Sequence, residues 1–323
     1  MINIQMLIVG FIAAFIIGIL ISPPLISFFK RLKCGQEIRD EGPCWHESKS
    51  GTPTMGGMIF ILASAIPAII VSNRNLVTIM LIFLSVSFGV VGFVDDFIKV
   101  KFKRNLGLTE LQKLGLQIVA SCLFVWVLKD TLINTPFIIP FTNISINLGI
   151  WYLPLSVIVI ISSVNAVNLT DGLDGLASSV TTVVAIFFTI ISLITKNIPV
   201  SIFGSTIIGG TGAFLIFNKF PAKIFMGDTG SLFLGGALAG MAILTGTPLF
   251  LLIAGGILVI EALSVIIQVG VYKLTKKRVF KMAPIHHHFE MSGFKEQKIV
   301  IIFTLCSLLL CIIAYGGFLV HLS

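Results

Sequence analysis

Charged residues are scarce in this chain. They make up 11% of its 323 residues, and only 14 residues are acidic, whereas about a quarter of a typical soluble domain is charged. Apolar residues account for 56% of the sequence and form long uncharged runs, such as residues 6–29. These runs argue against a soluble or disordered chain. They predict an all-α polytopic membrane protein in which residues 1–323 form a single integral membrane domain.

Several common functional motifs are also absent. The five cysteines are odd in number and include no CxxC pair, which argues against a disulfide framework and against a cysteine zinc site. The sequence contains no phosphate-binding GxxxxGKS/T loop, no HExxH helix and no EF-hand loop. Basic cytoplasmic loops explain the net charge of +8, so this charge does not indicate nucleic-acid binding.

The apolar runs predict ten transmembrane helices with both termini outside. A further uncharged stretch, residues 131–150, contains Pro136 and Pro140 and is predicted to be an outer-surface hairpin or loop. This arrangement places 19 Lys and Arg residues inside and 3 outside, whereas a span at 131–150 would divide them 11 to 11. The predicted spans are residues 6–29, 55–72, 76–94, 114–128, 151–167, 177–195, 199–217, 231–246, 248–271 and 299–320.

The same topology gathers the acidic residues on one side of the membrane. Twelve of the 14 lie in cytoplasmic loops or at cytoplasmic helix ends, while Asp130 lies outside and Glu261 lies within a span. The polar clusters therefore share one membrane face, which predicts a cytoplasmic active-site cleft.

The most polar of these clusters is the loop at residues 165–177. Asp171 and Asp174 are three residues apart, as are Asn165 and Asn168, so each pair faces one way on a helical turn. Helix capping would explain one aspartate but not this whole set. The carboxylate pair is suited to a divalent cation.

Two further clusters place aspartates at predicted helix ends. Asp95 and Asp96 end the third span, where adjacent carboxylates are costly unless something compensates them; a solvated helix end is the alternative. Asp228 lies between Gly227 and Gly230 at the start of another span. Glycines and a helix N-terminus favour a phosphate, but the aspartate opposes it unless a metal lies between them, which favours Mg²⁺ or Mn²⁺.

A histidine run and a lysine-bearing turn complete the polar inventory. His286, His287 and His288 follow a strongly basic loop; zinc binding is conceivable, but three consecutive side chains would ligate one ion only with strain, so phosphate or sugar contact is favoured. Lys49 lies in a glycine-rich turn that leads into the second span. Glu261, near mid-membrane, is a functional candidate, and Gly255 suggests a kink in the same helix.

One membrane face gathers acidic, amide, lysine and histidine side chains. This set suits a metal-dependent reaction between a soluble phosphate donor and a lipid acceptor. Phosphoryl transfer depends on positioning and charge neutralisation more than on covalent chemistry. Four motifs resemble the polyprenyl-phosphate N-acetylhexosamine-1-phosphate transferases, and the resemblance extends over essentially the whole chain. They are FVDDF at 93–97, NAVNLTDGLDGLA at 165–177, FMGDTGS at 225–231 and PIHHHFE at 284–290.

The resemblance also implies a particular reaction. Residues 49–57 (KSGTPTMGG) and 284–290 together are most similar to the branch of this family whose donor is UDP-MurNAc-pentapeptide. The acceptor would be undecaprenyl phosphate, the products lipid I and UMP, and the cofactor Mg²⁺, in the first membrane step of peptidoglycan synthesis. The resemblance further implies a bacterial cytoplasmic membrane, a homodimer and a broken ninth helix.

The roles of individual residues follow as hypotheses from this resemblance. Asp228 is the first choice as Mg²⁺ ligand, with Asp171 as the second. Asp95, supported by Asp96, would deprotonate or orient the lipid phosphate. The three histidines would hold the diphosphate or the sugar, and Asp171 and Asp174 would also serve the catalytic network. Substrate contacts are assigned to Lys49, Thr54, Lys113, Asn168, Gly172, Leu173, Asn218, Phe225 and Gln268.

Two other functions compete with this interpretation. One is a transferase of the same family for another UDP-N-acetylhexosamine, feeding teichoic acid or surface polysaccharide synthesis; the histidine loop argues against it. The other is an ion-coupled transporter, which typically places carboxylates near the membrane midplane in repeated halves. Here only Glu261 is deep, and the sequence shows no internal repeat.

Overall fold

A computed structural model describes residues 2–32, 51–102 and 107–322, and in these ranges the chain is almost entirely α-helical. The helices are α1 (Ile2–Arg31), α2 (Gly57–Val71), α3 (Leu76–Phe102), α4 (Glu110–Val127), α5 (Lys129–Ile133), α6 (Tyr152–Thr170), α7 (Leu176–Ile194), α8 (Ile198–Asn218), α9 (Gly227–Leu244), α10 (Pro248–Ala254), α11 (Gly256–Thr275), α12 (Ile285–Glu290) and α13 (Glu296–Leu322).

Nine helices in the described ranges are long and apolar enough to cross a membrane. The helix α2 is apolar but has only 15 residues. Each of the ten predicted spans overlaps one or more of these helices, which confirms the polytopic membrane class. The count of ten and the outside position of both termini stay predictions.

Within residues 131–150, the segment 137–146 forms a hairpin, as predicted, and residues 131–133 complete α5. Strand β1 (Phe137–Ile138) pairs antiparallel with β2 (Ser145–Ile146), and a single 3₁₀ turn follows at Gly149–Trp151. The Ile138 N–H donates to the Gly246 carbonyl at 2.9 Å, so the hairpin is docked on the turn between α9 and α10. Its proline residues and short strands explain why this apolar stretch does not continue as a helix.

The helix α9 lies at the centre of the bundle. Nearly all of its residues are buried, and it packs against α3 and α6. By contrast, α1, α4, α11 and α13 expose most of their apolar surface. In a membrane protein such surface faces lipid, because there is no hydrophobic penalty for exposing it to acyl chains.

A close helix contact brings α3 to the first turn of α9. A side chain at Gly92 would overlap the backbone carbonyl of Asp228. Only glycine therefore permits this approach, which sets the end of α3 beside the start of α9.

The ninth predicted span, residues 248–271, is broken as expected. It forms α10 and α11, which meet at Gly255. The break confirms the kink that the glycines predicted.

The contact at Gly92 can be tested by comparing two identical substitutions. Gly92→Ala is expected to destabilise the protein by about 1–3 kcal/mol, because the added methyl group overpacks the contact between α3 and α9. Gly115→Ala is the control, since a methyl group there meets nothing within 4 Å. Thermal unfolding in detergent would show a lower midpoint for Gly92→Ala alone. Equal midpoints for the two variants would contradict the close contact.

Candidate active site

Three aspartates converge at one end of the bundle. Asp95 and Asp96 lie in the last turns of α3, and Asp228 lies in the first turn of α9. One carboxylate oxygen from each lies within 4.8 Å of the others. Asp95 and Asp96 are 1% and 4% exposed. Such burial is tolerated only where hydrogen bonds or opposite charges compensate the carboxylates.

Asp96 is compensated by the N-terminus of α9. Its carboxylate accepts hydrogen bonds from the backbone N–H groups of Asp228 and Thr229, at 3.2 and 3.0 Å. The Thr229 hydroxyl donates a third bond at 2.7 Å. The first turn of a helix has unpaired N–H groups and a positive partial charge, so a carboxylate from α3 caps α9. Both oxygens of Asp96 are used in this way.

Asp95 and Asp228 are compensated by two lysines. Lys99 Nζ lies 2.6 Å from Asp95 Oδ2 and 3.1 Å from Asp228 Oδ2. Lys113 Nζ lies 3.4 Å from Asp95 Oδ1 and 2.8 Å from Asp228 Oδ2. Asp95 Oδ1 also accepts the backbone N–H of Leu108 at 2.8 Å. Each ammonium group thus contacts both carboxylates, and its positive charge offsets the repulsion between them.

The segment 165–177, predicted as a loop, instead forms the end of α6, a turn at residues 171–175 and the start of α7. It joins this cluster through Asn168 of α6. Its amide nitrogen donates to Asp228 Oδ1 at 2.8 Å and to the Ser231 hydroxyl at 2.9 Å. Asp171 caps the end of α6 and lies outside the group of three aspartates. Burial raises the pKa of Asp171 well above its ordinary value, and the negative charges of Asp228, Asp96 and Asp174 raise it further.

The aspartate cluster fits a divalent cation. Carboxylate oxygens are the hard ligands that Mg²⁺ prefers, and three of them come together here. Asp228 was predicted as a ligand, and it is a member. The geometry gives it Asp95 and Asp96 as companions, whereas the second predicted ligand, Asp171, is not in the group.

Residues 51–57 pack directly against the segment that carries Asp228. The backbone forms three hydrogen bonds, from Phe225 N–H to the Pro53 carbonyl and from Gly56 and Gly57 N–H to the carbonyls of Phe225 and Met226. Thr54 is buried, and its hydroxyl lies beside Gly227. Lys49, which was predicted to meet the substrate, lies outside the described residues.

Three residues that were predicted to be catalytic or to contact the substrate make contacts within the protein. Asp174 is buried and accepts the Ala222 N–H at 2.9 Å. Asn218 is buried too; it accepts the Ser178 hydroxyl at 2.8 Å and donates to the Ile224 carbonyl at 3.0 Å. The side chain of Leu173 is packed in the apolar core. All three are occupied within the protein, whereas Phe225 is half-buried.

The three histidines have three different partners. His286 Nδ1 lies 3.0 Å from Glu261 Oε2, and both side chains are fully buried. His287 Nδ1 lies 2.7 Å from Glu290 Oε2. His288 Nδ1 accepts the backbone N–H of Lys281 at 3.1 Å. The divergent partners argue against a shared zinc ion and indicate three separate roles.

Gln268 fastens the basic loop to α11. Its amide oxygen accepts the N–H groups of Val279 and Phe280, at 3.0 and 2.9 Å, and its nitrogen donates to the Phe280 carbonyl at 3.1 Å. This amide, predicted as a substrate contact, is occupied within the protein.

Sequence reasoning left two residues of the site without a role. Lys99 was treated only as part of a basic run, although it lies one turn after Asp95 on the same helix. That i, i+4 spacing is the signal that could have found it. Glu261 was predicted only as a functional candidate near mid-membrane; its histidine partner is 25 residues away and no local pattern shows it.

Comparisons with known proteins show the family of this chain. The chain belongs to glycosyl transferase family 4, whose profile matches residues 77–246. Its place within the family is indicated by a second match: signature 1 of the phospho-N-acetylmuramoyl-pentapeptide transferases covers residues 49–61.

Full-length relatives carry the same name. A phospho-N-acetylmuramoyl-pentapeptide-transferase of Halalkalibacterium halodurans is 46% identical, with 96% of this chain and 97% of that protein aligned. The one from Acetivibrio thermocellus is 49% identical over 94% of this chain and 93% of its own length. A third, from Clostridium botulinum, is 47% identical over 96% and 94%.

The capping role of Asp96 predicts a loss of stability when its charge is removed. Asp96→Asn is expected to cost about 1–3 kcal/mol, because a carboxamide cannot accept all three hydrogen bonds. Thr229→Val removes only the hydroxyl donor and is expected to cost less. Thermal unfolding of the single and double variants in detergent, combined in a double-mutant cycle, should show that the two effects are coupled. An unfolding midpoint of Asp96→Asn equal to that of the unmodified protein would contradict the cap.

Proposed function

We propose that this chain transfers phospho-MurNAc-pentapeptide from UDP-MurNAc-pentapeptide to undecaprenyl phosphate. A P–O bond forms between an oxygen of the lipid phosphate and the phosphorus that carries the sugar. The bond from that phosphorus to UMP breaks, and UMP leaves. The products are undecaprenyl-diphospho-MurNAc-pentapeptide (lipid I) and UMP. The relatives described above carry the name of this activity, and family membership extends it to this chain.

The observation that carries the proposal is the set of buried and partly buried charges where the end of α3 meets the first turns of α4 and α9. The reaction brings a phosphate monoester to a diphosphate, so negative charge must be neutralised at the point of contact. Lys99 and Lys113 supply two ammonium groups between Asp95 and Asp228. These cations are held in place by carboxylates before any substrate arrives, which reduces the reorganisation that the reaction requires.

The proposed metal is Mg²⁺, with Mn²⁺ as an alternative. When bound, the ion neutralises the diphosphate as a Lewis acid. Asp228 is the proposed first ligand, and Asp95 and Asp96 are its nearest carboxylates. Asp171 stays a predicted second ligand.

The acceptor and donor are proposed to meet the cluster from different sides. Asp95 is the proposed residue for orienting the lipid phosphate, because it lies at the end of a spanning helix and is held by Lys99. The nucleotide side is proposed to be formed by Asn168, Asp171, Gly172 and Phe225. Because Asn168 donates a hydrogen bond to Asp228, a contact between Asn168 and the nucleotide would also affect the position of the Asp228 carboxylate. A homodimer, which the family resemblance implies, stays a prediction.

A UMP-release assay tests the reaction. Purified protein with undecaprenyl phosphate and Mg²⁺ is expected to release UMP from UDP-MurNAc-pentapeptide, with little release when UDP-GlcNAc replaces that donor. Asp228→Ala is expected to lower turnover at least a hundredfold, because it removes the proposed metal ligand and the partner of both lysines. Release from UDP-GlcNAc in preference to the muramoyl donor would show the wrong substrate. Release that is independent of lipid phosphate would show the wrong reaction.

The proposed cytoplasmic orientation can be measured by cysteine labelling. In a variant without the five native cysteines, Asn143→Cys in the hairpin is expected to react with a membrane-impermeant maleimide on intact spheroplasts. Lys277→Cys in the basic loop is expected to react only after permeabilisation. Both positions are exposed, so burial does not explain a difference. The reverse pattern would invert the proposed topology.

A further inference from the structure

Glu261 and His286 form a buried pair beside the active site. Glu261 lies in the second turn of α11, just beyond the break at Gly255, and His286 lies in the first turn of α12. His286 Nδ1 and Glu261 Oε2 are 3.0 Å apart, and both residues are 0% exposed. A carboxyl group in a spanning helix is costly, so its partner has to be accounted for.

The pair is incompletely satisfied at both ends. Within the described part of the chain, Glu261 Oε1 and His286 Nε2 have no hydrogen-bond partner. A pair retained only for stability is a poor solution, because burying two unpaired polar atoms costs free energy that apolar side chains would not. Unsatisfied buried groups in native structures require an explanation, and one explanation is a ligand that completes them.

The unpaired nitrogen of His286 faces the turn after α6. A side chain at Gly172 would overlap His286 Nε2 and the adjacent ring carbons. The imidazole therefore lies against the glycine backbone, with Glu261 at Nδ1 and the His287 ring centroid 4.1 Å from its own. This turn is next to Asp171, on the proposed nucleotide side of the cleft.

The two nitrogens of the ring can be assigned from these contacts. An ionised carboxyl group only accepts hydrogen bonds, so Glu261 requires a proton on Nδ1. In the neutral ring Nε2 then has a free lone pair. The hydrogen bond made by one nitrogen sets the state of the other.

We propose that Glu261 is a positioning residue that holds His286 with its proton on Nδ1, so that an unprotonated Nε2 faces the turn at Gly172 on the proposed donor side of the site. The inference rests on the proposed function for the identity of the donor. The protonation of the ring, by contrast, is a property of the protein alone and can be measured without turnover.

Nitrogen NMR of the full-length protein tests the ring directly. The protein, labelled with ¹⁵N-histidine and embedded in lipid nanodiscs, contains five histidines, and His286→Gln identifies the resonances of interest. We expect a protonated Nδ1 in the native protein and in Glu261→Gln, whose amide oxygen still accepts. In Glu261→Leu we expect the proton to move to Nε2, the usual position in an unpaired imidazole. An unprotonated Nδ1 in the native protein, or a proton on Nε2, would overturn the inference.

Kinetics separate positioning from a purely structural role. Glu261→Leu is expected to raise the KM for UDP-MurNAc-pentapeptide at least tenfold and to change the KM for undecaprenyl phosphate less than twofold. Glu261→Gln should restore the donor KM to within threefold of the native value. Ser264→Ala is the matched control, because Ser264 is buried one turn away on α11 and bonds only the Glu261 backbone carbonyl.

Each kinetic outcome has a defined meaning. A lower kcat with both KM values unchanged in Glu261→Leu would indicate loss of folded enzyme and would overturn the positioning role. A donor KM in Glu261→Gln as high as in Glu261→Leu would also overturn it. If Glu261→Leu does not fold, the protonation of the His286 ring in the native protein still tests the inference. Absence of UMP release by the native protein would refute the proposed function and leave the NMR result standing.

Discussion

The contact between the Asp96 carboxylate and the first turn of α9 is the interaction on which the candidate active site depends. It joins α3 to α9 through a hydrogen bond from the Asp228 N–H to the Asp96 carboxylate. These two residues are 132 positions apart in sequence. The helix end has unpaired donors, and the carboxylate would be costly at a membrane boundary without them. The hydrogen bonds therefore satisfy the carboxylate of Asp96 and the N–H groups of α9 at the same time. Because α9 is the central helix, this contact also fixes where Asp228 stands relative to Asp95.

The two lysines extend the same principle to the remaining charges. Asp95 and Asp228 are close enough to repel each other, and Lys99 and Lys113 lie between them. The result is a dense set of opposite charges that is closely balanced before a substrate or a metal arrives. Charged groups that are already held in place need little reorganisation when a ligand binds.

Many polar residues around the cleft act as supports. Asp174, Asn218 and Gln268 are bonded to backbone groups of neighbouring loops and hold those loops in place. Buried backbone groups in such loops need partners of this kind, because an unpaired buried polar group costs free energy. Polar side chains in the motifs therefore serve two purposes, and the motif alone does not tell a contact residue from a supporting one.

The sequence by itself determined the class of fold and the general place of the site. Three local properties of the chain carried this information: hydropathy, the distribution of basic residues, and the glycines near Asp228 and at Gly255. The membrane directly constrains hydropathy and charge distribution. These three properties predicted the spanning helices, the hairpin at 131–150 and the break between α10 and α11.

Only the tertiary structure decided which groups meet. The cap on α9, the bridge from Lys113 to Asp228 and the pairing of Glu261 with His286 join residues that are 132, 115 and 25 positions apart. Such pairs depend on how closely helices approach, and a single glycine such as Gly92 can set that distance. The physical reason is that a buried charge needs a partner that is close in space. The sequence pattern does not show which distant residues become neighbours in the folded protein.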